Sequence, residues 1–386
     1  MKSFKATREG LKRHNRQLVL RAVYEDAANN RAALAAITGL AKPTVSDIVS
    51  ELIEEGLLTE SGFGESGDTG GKRPTLLRFV PDARQVIGIS VEEHRIFGVL
   101  SDLTGYVSVQ HVIERDQFQP TEIIDLIEAT INGLVSQLSS PLLCIGIGVP
   151  GILSETRQYL IQSPLQQLVE FALPPYFADM YGRPVYIGNN SELAALAQFS
   201  FGVTDTDDAE SLACLMLNES VEIGIAFNTA DFHYHQGGAI GRLKMGLPHE
   251  MQPLESLLGW KAVRQHVLEL RARIGESQLP EHFTYMHLRY AARRGDLLAT
   301  MAVNWHMEHL AQVLAWVVSL WQPSHVSLAG KVVDLGEEFL SALIELAARY
   351  TDHTLLARTR FSLAYSKDLS ALGAVALALQ NELDIL

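Results

Sequence analysis

The feature that most constrains the fold is an order of strand and helix patterns that occurs twice after residue 80. In the first series, strand-like runs lie at 86–91, 95–102, 106–113, 144–151 and 184–190, and helical patterns lie at 121–138 and 165–181. A second series begins at 212–218, 222–228 and 231–238, and later helices bracket a strand at 325–330. The repeated order β-β-β-α-β-α-β predicts an α/β body of two lobes that face each other across a cleft, where a ligand would lie.

The N-terminal residues differ from the rest in charge. Residues 1–80 contain 12 Lys and Arg against 10 Asp and Glu, whereas the remainder contains 19 against 35, and the whole chain carries a net charge of −14. That charge, spread evenly, would disfavour nucleic-acid binding, so the asymmetry predicts a separate N-terminal module with its own partners. We therefore expect three domains: residues 1–80, a first lobe at 81–200, and a second lobe at 201–386 whose C-terminal helix returns to the first lobe.

The N-terminal module has the residue spacing of a helix-turn-helix. Ala35 is small where two helices would cross, Gly39 suits a turn with positive φ, and Val45 would face inward from the next helix. An ordinary three-helix packing unit is the alternative. In the helix-turn-helix interpretation, the residues predicted to face DNA are Lys42, Pro43, Thr44, Ser46, Asp47 and Ser50, with Pro43 in the first helical turn.

A glycine-rich stretch follows these helices. The run TESGFGESGDTGGKRPTLLRF, at 59–79, contains five glycines and then the basic pair Lys72 and Arg73. A hairpin with a basic tip would be the wing that reaches along the sugar-phosphate backbone. The alternative is a flexible linker. Beside a helix-turn-helix, the wing is the better interpretation, and we predict that Lys72 and Arg73 contact DNA.

The composition indicates the cellular compartment of the protein and the role of its cysteines. The chain has two cysteines, Cys144 and Cys214, and both lie in apolar strand-like runs, so they are expected to be buried and cannot form a disulfide framework or a cysteine-rich zinc site. Residues 1–16 are polar and charged, and the longest apolar run, at 310–321, is too short to span a bilayer. We therefore expect a cytoplasmic protein without a membrane partner.

Five motifs carry a resemblance to a known family. They are LKRHNRQLVLRAV, GLAKPTVSDIVSELIEEGLL, GGKRP, GIGVPG at 146–151 and SALGAVALAL at 370–379. Their order and spacing resemble those of the ROK family, named for repressors, open reading frames and kinases, whose regulators join a winged helix-turn-helix to a sugar-kinase body. The resemblance implies an α/β protein with an N-terminal winged helix-turn-helix followed by a two-lobed actin-like ATPase body.

A ROK kinase holds phosphate with two glycine-rich loops, and neither is intact here. The first, of the Asp-x-Gly-x-Thr type, corresponds to SVEEHR at 90–95, where Glu92, Glu93 and His94 would repel or block a triphosphate. The second corresponds to NESVEIGI at 218–225, in which only Gly224 survives. Close approach of backbone N–H groups to phosphate would be opposed by the side chains of this turn.

The general base of the kinases is also replaced. The family places an Asn-Asp pair after a strand, and the Asp takes the proton of the attacking sugar hydroxyl. Here the pair is Asn189 and Asn190. An amide can hold a hydroxyl but has no basic lone pair at neutral pH. With both phosphate loops lost as well, we expect no phosphotransfer and no cofactor.

The zinc motif of the family is not conserved either. The resemblance places Arg242 at the motif's glutamate and Met245 at its histidine, and the region from 237 to 259 has no cysteine; His249 would be at most a displaced remnant. The pairs His233 with His235 and His306 with His309 have spacings that permit metal binding, but solvated or packed histidines are the better interpretation. We therefore expect no metal site.

The cleft retains several polar positions of the family's sugar site. The resemblance places Glu255 at a sugar-binding glutamate, and we expect this residue to line a polar cleft with Asn189, Asn190, Gly148 and Gly151. The alternative is that these are loop residues without a ligand.

The resulting expectation is a DNA-binding repressor of carbohydrate genes whose body senses a sugar or sugar phosphate. Family precedent implies a homodimer or homotetramer and a palindromic operator. Two alternatives remain open at this level: a sugar kinase with an accessory DNA-binding domain, and a regulator controlled by a protein partner.

Overall fold

The computed structural model describes residues 8–64, 73–115, 118–119, 121–202, 210–229, 232–246, 249–366 and 368–385. Within these ranges, no single helix is long and apolar enough to cross a bilayer; a bent helix pair near the N-terminus meets the criteria of length and composition only.

The N-terminal domain contains three helices and a hairpin. Its elements are α1 (Arg8–Tyr24), α2 (Arg31–Thr38), α3 (Lys42–Glu54), β1 (Leu58–Phe63) and β2 (Thr75–Phe79). Asn30 begins α2 by accepting hydrogen bonds from the N–H groups of Ala32 and Ala33 at 3.1 and 3.0 Å. Gly39 ends α2 with φ of 69°, a left-handed conformation that favours glycine. The chain bends by 118° between α2 and α3, as a helix-turn-helix requires.

The first lobe is built on a five-stranded sheet in the order β5-β4-β3-β6-β9. Its strands are β3 (Gln85–Val91), β4 (Arg95–Ser101), β5 (Val107–Glu114), β6 (Leu142–Val149) and β9 (Val185–Asn189), with a small hairpin of β7 (Ile152–Leu153) and β8 (Leu160–Gln162). Its helices are α4 (Ile123–Val135), α5 (Leu173–Tyr181) and α6 (Asn190–Phe201). Strands β3, β6 and β9 run parallel, so their carboxyl ends lie at one edge.

One helical segment of this lobe is shorter than the sequence pattern predicts. The pattern covers 165–181, but residues 166–168 form only a 3₁₀ turn and the α-helix begins at Leu173. Pro174 and Pro175 have no backbone N–H to donate to the carbonyls one turn earlier, so the helix cannot extend back through them.

The second lobe repeats the architecture with the sheet order β12-β11-β10-β15-β16. Its strands are β10 (Ser211–Leu217), β11 (Val221–Thr229), β12 (Phe232–Gly238), β15 (His325–Gly330) and β16 (Arg360–Leu363), and a small hairpin contains β13 (Lys244–Met245) and β14 (Gln252–Pro253). Its helices are α7 (Glu255–Leu258), α8 (Trp260–Ile274), α9 (Tyr285–Arg293), α10 (Leu297–Trp321), α11 (Glu337–Ala347) and α12 (His353–Ala357).

The last helix, α13 (Leu369–Glu382), follows the second sheet in the chain but packs on the first. A Cβ atom added to Gly88 of β3 would lie 2.2 Å from the carbonyl oxygen of Ala371, and one added to Gly146 of β6 would lie 2.0 Å from that of Ala374. Glycine at both positions therefore permits the helix backbone to touch the sheet.

The N-terminal domain shares its core with α13. Buried Leu20 and Leu52 belong to the same apolar cluster as Leu379 and Ile385 near the C-terminus. The guanidinium of Arg13 also donates to the carbonyl oxygen of Asn381 at 2.6 Å. The N-terminal domain is thus docked on the C-terminal helix rather than tethered by a linker alone.

Candidate functional site

The exposed side of α3 carries the residues predicted to face DNA. Lys42, Pro43, Asp47 and Ser50 are exposed, and Thr44 and Ser46 are half-buried. Val45 and Ile48 are buried on the opposite side, which fixes the orientation of the helix. The Ser50 hydroxyl donates back to the carbonyl oxygen of Ser46 at 2.9 Å. The six predicted residues therefore share one side of α3.

The predicted wing is an antiparallel hairpin. Strand β1 pairs with β2 in a register that joins Leu58 to Phe79 and Phe63 to Thr75. Arg73 is exposed immediately before β2. Lys72 and the rest of the glycine-rich tip, at 65–72, lie outside the described residues.

Two basic residues of α1 form ion pairs within the N-terminal domain. Lys12 forms an ion pair with Glu51 at 2.8 Å, and both Nη atoms of Arg16 donate to the Glu55 carboxylate at 2.5 and 2.6 Å. The hydrogen bond from Arg16 lowers the pKa of Glu55, although burial opposes this shift. These pairs hold α1 against the C-terminal half of α3 and leave Lys42 and Arg73 as cations of the predicted DNA surface.

In the predicted ligand site, strand β9 leads directly into helix α6. The Asn189 side-chain oxygen accepts from the backbone N–H of Ser191 at 2.9 Å, and the Glu192 carboxylate accepts in return from the Asn189 N–H at 3.4 Å. This is a capping box for α6. The Asn189 amide nitrogen donates to the carbonyl oxygen of Gly151 at 2.8 Å. The side-chain oxygen and nitrogen of Asn189 therefore both have hydrogen-bond partners within the first lobe.

Asn190 differs from its neighbour in having an unpartnered atom. Its amide nitrogen donates to the carbonyl oxygen of Val91 at 2.8 Å, whereas its side-chain oxygen has no hydrogen-bond partner within the described chain. The residue is only 4% exposed. A Cβ added to Gly148 would lie 2.5 Å from that oxygen, so glycine provides the space beside it. The parallel strand ends thus bring Gly148, Gly151, Asn189 and Asn190 together.

Two carboxylates reach this region from the second lobe. Glu222 on β11 is 6% exposed, and burial raises its pKa to about 7; a hydrogen bond with Asn189 opposes the shift and the charge of Glu255 adds to it. Glu255 itself is exposed at the start of α7 and does not line the main cavity. The structure therefore places Glu222, which no sequence pattern assigned to the ligand site, nearer the amides than Glu255.

A cavity of about 540 Å³ lies between the lobes. It is lined by the β3–β4 turn, the β10–β11 turn, the 3₁₀ turn Lys331–Leu335 and the start of α13. The resemblance to ROK kinases places the two phosphate loops at the β3–β4 and β10–β11 turns. Glu92, Glu93 and His94 come from one, and Glu219 and Glu222 come from the other side. Carboxylates at these places would repel phosphate.

A buried ion-pair group joins the lobes close to the capping box. The Glu192 carboxylate, 2% exposed, contacts His235 of β12 and lies 2.7 Å from an Nη atom of Arg157. Burial would raise the pKa of Glu192, but the hydrogen bond and charge of His235 and the charge of Arg157 outweigh it, and the pKa is lowered. This group was not predicted from the sequence, in which the local signal is the spacing of a capping box.

The histidines that the structure describes do not join other metal-ligating side chains in groups of three or more. Among the described residues, no three His, Cys, Asp or Glu side chains are grouped as metal ligands would be. Arg242 instead donates to Gln162 of the other lobe. His306 is buried against the hydroxyl of Tyr285, and burial lowers its pKa to about 3, while His309 contacts the carbonyl oxygen of Trp305.

The family model for ROK proteins matches residues 86–381. The chain belongs to the ROK family. Residues 12–59 match the model for winged helix-turn-helix DNA-binding domains, which confirms the predicted combination of that domain with a ROK body.

Relatives of this ROK protein include the xylose repressor of Caldicellulosiruptor bescii, 25% identical over 97% of each chain. A solved ROK transcriptional regulator, a homologue of the Escherichia coli Mlc protein, is 19% identical with a TM-score of 0.81 over 97% of this chain and 98% of that one. A ROK glucokinase from Streptomyces griseus, solved with glucose and AMPPNP, is 19% identical with a TM-score of 0.64 over 77% of this chain and 99% of that one. The actin-like body is thus common to regulators and kinases of the family.

Proposed function

We propose that this ROK protein is a sugar-responsive DNA-binding repressor of carbohydrate genes whose kinase-like body does not transfer phosphate. One observation carries the proposal: a winged helix-turn-helix with an exposed α3 precedes a ROK body in the same chain. In that body, Asn190 occupies the position where a kinase would have its catalytic base. The repressor named among its relatives supports the same function.

Three features of the cleft support the absence of phosphotransfer. An amide at 190 cannot accept the proton of an attacking hydroxyl at neutral pH. Glu93 on one side of the cavity and Glu222 on the other would repel the phosphates of a nucleotide. Phosphoryl transfer depends on positioning and on positive charge around the phosphates, and this cavity offers the opposite charge.

For the DNA-binding surface, we infer that α3 enters the major groove and the hairpin follows the backbone. Thr44, Ser46 and Asp47 would lie nearest the base edges, and Lys42, Ser50 and Pro43 at the margins of the contact. Lys72 and Arg73 would contact phosphates from the wing.

For the effector, we infer a sugar or sugar phosphate held by Gly148, Gly151, Asn189, Asn190 and Glu255. Asn190 has the free acceptor, and Gly148 provides room beside it. Asn189 and Gly151 would contribute once their mutual hydrogen bond opens, and Glu255 would approach from the second lobe when the cleft closes.

The response would reach DNA through oligomer geometry. We infer a homodimer or homotetramer that binds a palindromic operator, with the three domains divided near residues 80 and 200 and the protein acting in the cytoplasm. A ligand that binds the closed cleft more tightly than the open one would change the separation of the two α3 helices.

In vitro selection of DNA from a random pool with the full chain tests the proposal. We expect enrichment of a two-fold symmetric site and release from it by one member of a panel of sugars and sugar phosphates. Assays of the same preparation with Mg²⁺, ATP and hexoses should give no sugar phosphate. Selection of no sequence, or turnover of any hexose, would contradict the proposed function.

A further inference from the structure

The cavity between the lobes has more carboxylates than cations. Six carboxyl groups line it, against three lysine and arginine side chains, among the residues that the structure describes. Each cation already has an acidic partner, in the pairs Arg95–Glu92, Arg115–Glu122 and Lys331–Glu219, at 2.9, 2.9 and 3.0 Å. Within the described chain, no ion pair serves the remaining four carboxyl groups, those of Glu93, Glu114, Glu222 and Asp334.

Of these four groups, Glu93 is half-buried and Glu222 is buried. Burial raises the pKa of Glu93, and the charges of Glu219 and Glu255 add to the shift while His94 opposes it. Glu222 is 6% exposed. A carboxylate in such surroundings is stabilised by a positive charge brought close to it, because the attraction offsets the loss of hydration.

A neutral acceptor in the same cavity also lacks a partner. Asn190 lines the cavity, and its side-chain oxygen receives no hydrogen bond from the described residues. Burial of a carbonyl oxygen without a hydrogen-bond partner is unfavourable. A ligand with N–H groups would donate a hydrogen bond to this oxygen after a small rotation of the amide. The need for a donor at Asn190 is independent of the carboxylates.

The spacing of the acidic groups selects the kind of cation. Across the described ranges, no three His, Cys, Asp or Glu side chains are close enough together to hold one metal ion. The charges are instead spread over the β3–β4 turn, β11 and the turn that contains Asp334. A volume of about 540 Å³ is large enough for a small organic molecule.

From these observations we propose that the interlobe cavity binds an aliphatic amine with two or more ammonium groups, a diamine or polyamine. One ammonium group lies between Glu93 and Asp334, and another approaches Glu222 and the side-chain oxygen of Asn190. The ligand contacts both lobes and the first turn of α13, so it favours one arrangement of the lobes. It occupies a region distinct from the sugar contacts, apart from Asn190, and its binding does not require that the effector be a sugar.

Calorimetric titration of the full chain with 1,4-diaminobutane and with spermidine tests the proposal. We expect saturable binding of one molecule per chain at neutral pH, and butylamine should bind about tenfold more weakly because it carries a single ammonium group. The double variant Glu93→Gln, Asp334→Asn should bind spermidine at least about tenfold more weakly. Glu114→Gln, at an exposed strand end, folds without repacking and should give a smaller loss in the same direction.

The matched control is the double variant Asp179→Asn, Glu345→Gln, which removes the same charge from exposed positions on α5 and α11. It should bind spermidine like the wild type. An equal loss in both double variants would mean that the amine is attracted only by the net charge of the chain, and this would overturn the proposal. Absence of saturable heat with either amine, or tighter binding of Mg–ATP than of spermidine, would also overturn it. The selection of DNA and its release by sugars are separate measurements, so failure here leaves the proposed function intact.

Discussion

The hydroxyl of Ser370 donates a hydrogen bond to the backbone carbonyl oxygen of Asn190 at 2.9 Å. This bond ties the first turn of α13 to the strand end that forms the cleft. Asp384 lies fourteen residues after Ser370, just beyond the end of α13, and accepts hydrogen bonds from the guanidinium of Arg21 in the DNA-binding domain. One helix of about 21 Å therefore connects the cleft to the DNA-binding domain.

We predict that the double variant Arg13→Ala, Arg21→Ala loosens α1 while the first sheet keeps its protection. The variant removes the contacts with Asn381 and Asp384 but leaves the apolar cluster intact. Both guanidinium groups are partly exposed, so the expected effect is modest, about a tenfold faster amide exchange in α1. Hydrogen-exchange mass spectrometry measures this, with Arg294→Ala as the control. Equal acceleration in β6 would show global destabilisation instead of local undocking.

Replacing Gly373 by Ala should be strongly destabilising. An added Cβ would lie 1.8 Å from the carbonyl oxygen of Leu193, so α13 and α6 would have to separate. Overpacking of this kind costs about 1–3 kcal/mol or more. Gly133→Ala is the matched control, because its Cβ would meet only the His111 ring, at 3.1 Å. Urea denaturation should show a loss for Gly373→Ala and little change for Gly133→Ala; similar values for both would refute the close helix contact.

Glu192→Gln should destabilise the folded chain in a pH-dependent way. The lowered pKa of Glu192 means that its contribution to stability is present above the ordinary carboxyl pKa of 4.5 and is lost as the pH falls below it. Breaking the pair with His235 should cost about 3 kcal/mol at neutral pH. The difference between variant and wild type, measured by urea denaturation, should shrink in acid. A difference independent of pH would exclude an ionic role for Glu192.

Glu222→Gln is expected to change the free energy of unfolding in the opposite direction to Glu192→Gln. The pKa of Glu222 is raised from 4.5 to about 7, so its favourable contribution is complete below 4.5 and is lost as the pH rises through about 7. Glutamine keeps a hydrogen-bonding group without the charge, and the variant should gain up to about 3 kcal/mol over the wild type in alkali. Glu255→Gln should move the midpoint of the wild-type pH dependence downward. A constant stability difference between Glu222→Gln and wild type across this pH range would contradict the buried carboxyl.

Local sequence signals predicted most of the secondary structure that positions the sites. The left-handed Gly39, the small Ala35 and the buried Val45 identify the helix-turn-helix because each depends only on neighbours. The parallel strand ends also bring Gly148 close to Asn190. Strand β16 was not anticipated, since its four residues RFSL carry no clear alternation.

Contacts between distant parts of the chain were not predictable in the same way. Glu192 and His235 are 43 residues apart, and Arg13 and Asn381 are 368 apart, so no periodicity links either pair. Asn189 looked available for a ligand, yet its polar atoms satisfy the start of α6 and the carbonyl oxygen of Gly151. Which amide has a free atom depends on hydrogen bonds that only the folded chain defines.

The central claim is most directly tested by fluorescence-anisotropy titration of the full chain with its selected duplex over a range of salt concentrations. The double variant Lys72→Ala, Arg73→Ala should bind every sequence more weakly and lower the salt slope by about two, since two phosphate contacts are lost. Thr44→Ala should instead change the preference between related duplexes without changing that slope. Unchanged affinity and salt slope in the Lys72, Arg73 double variant, together with unchanged preference in Thr44→Ala, would contradict the account.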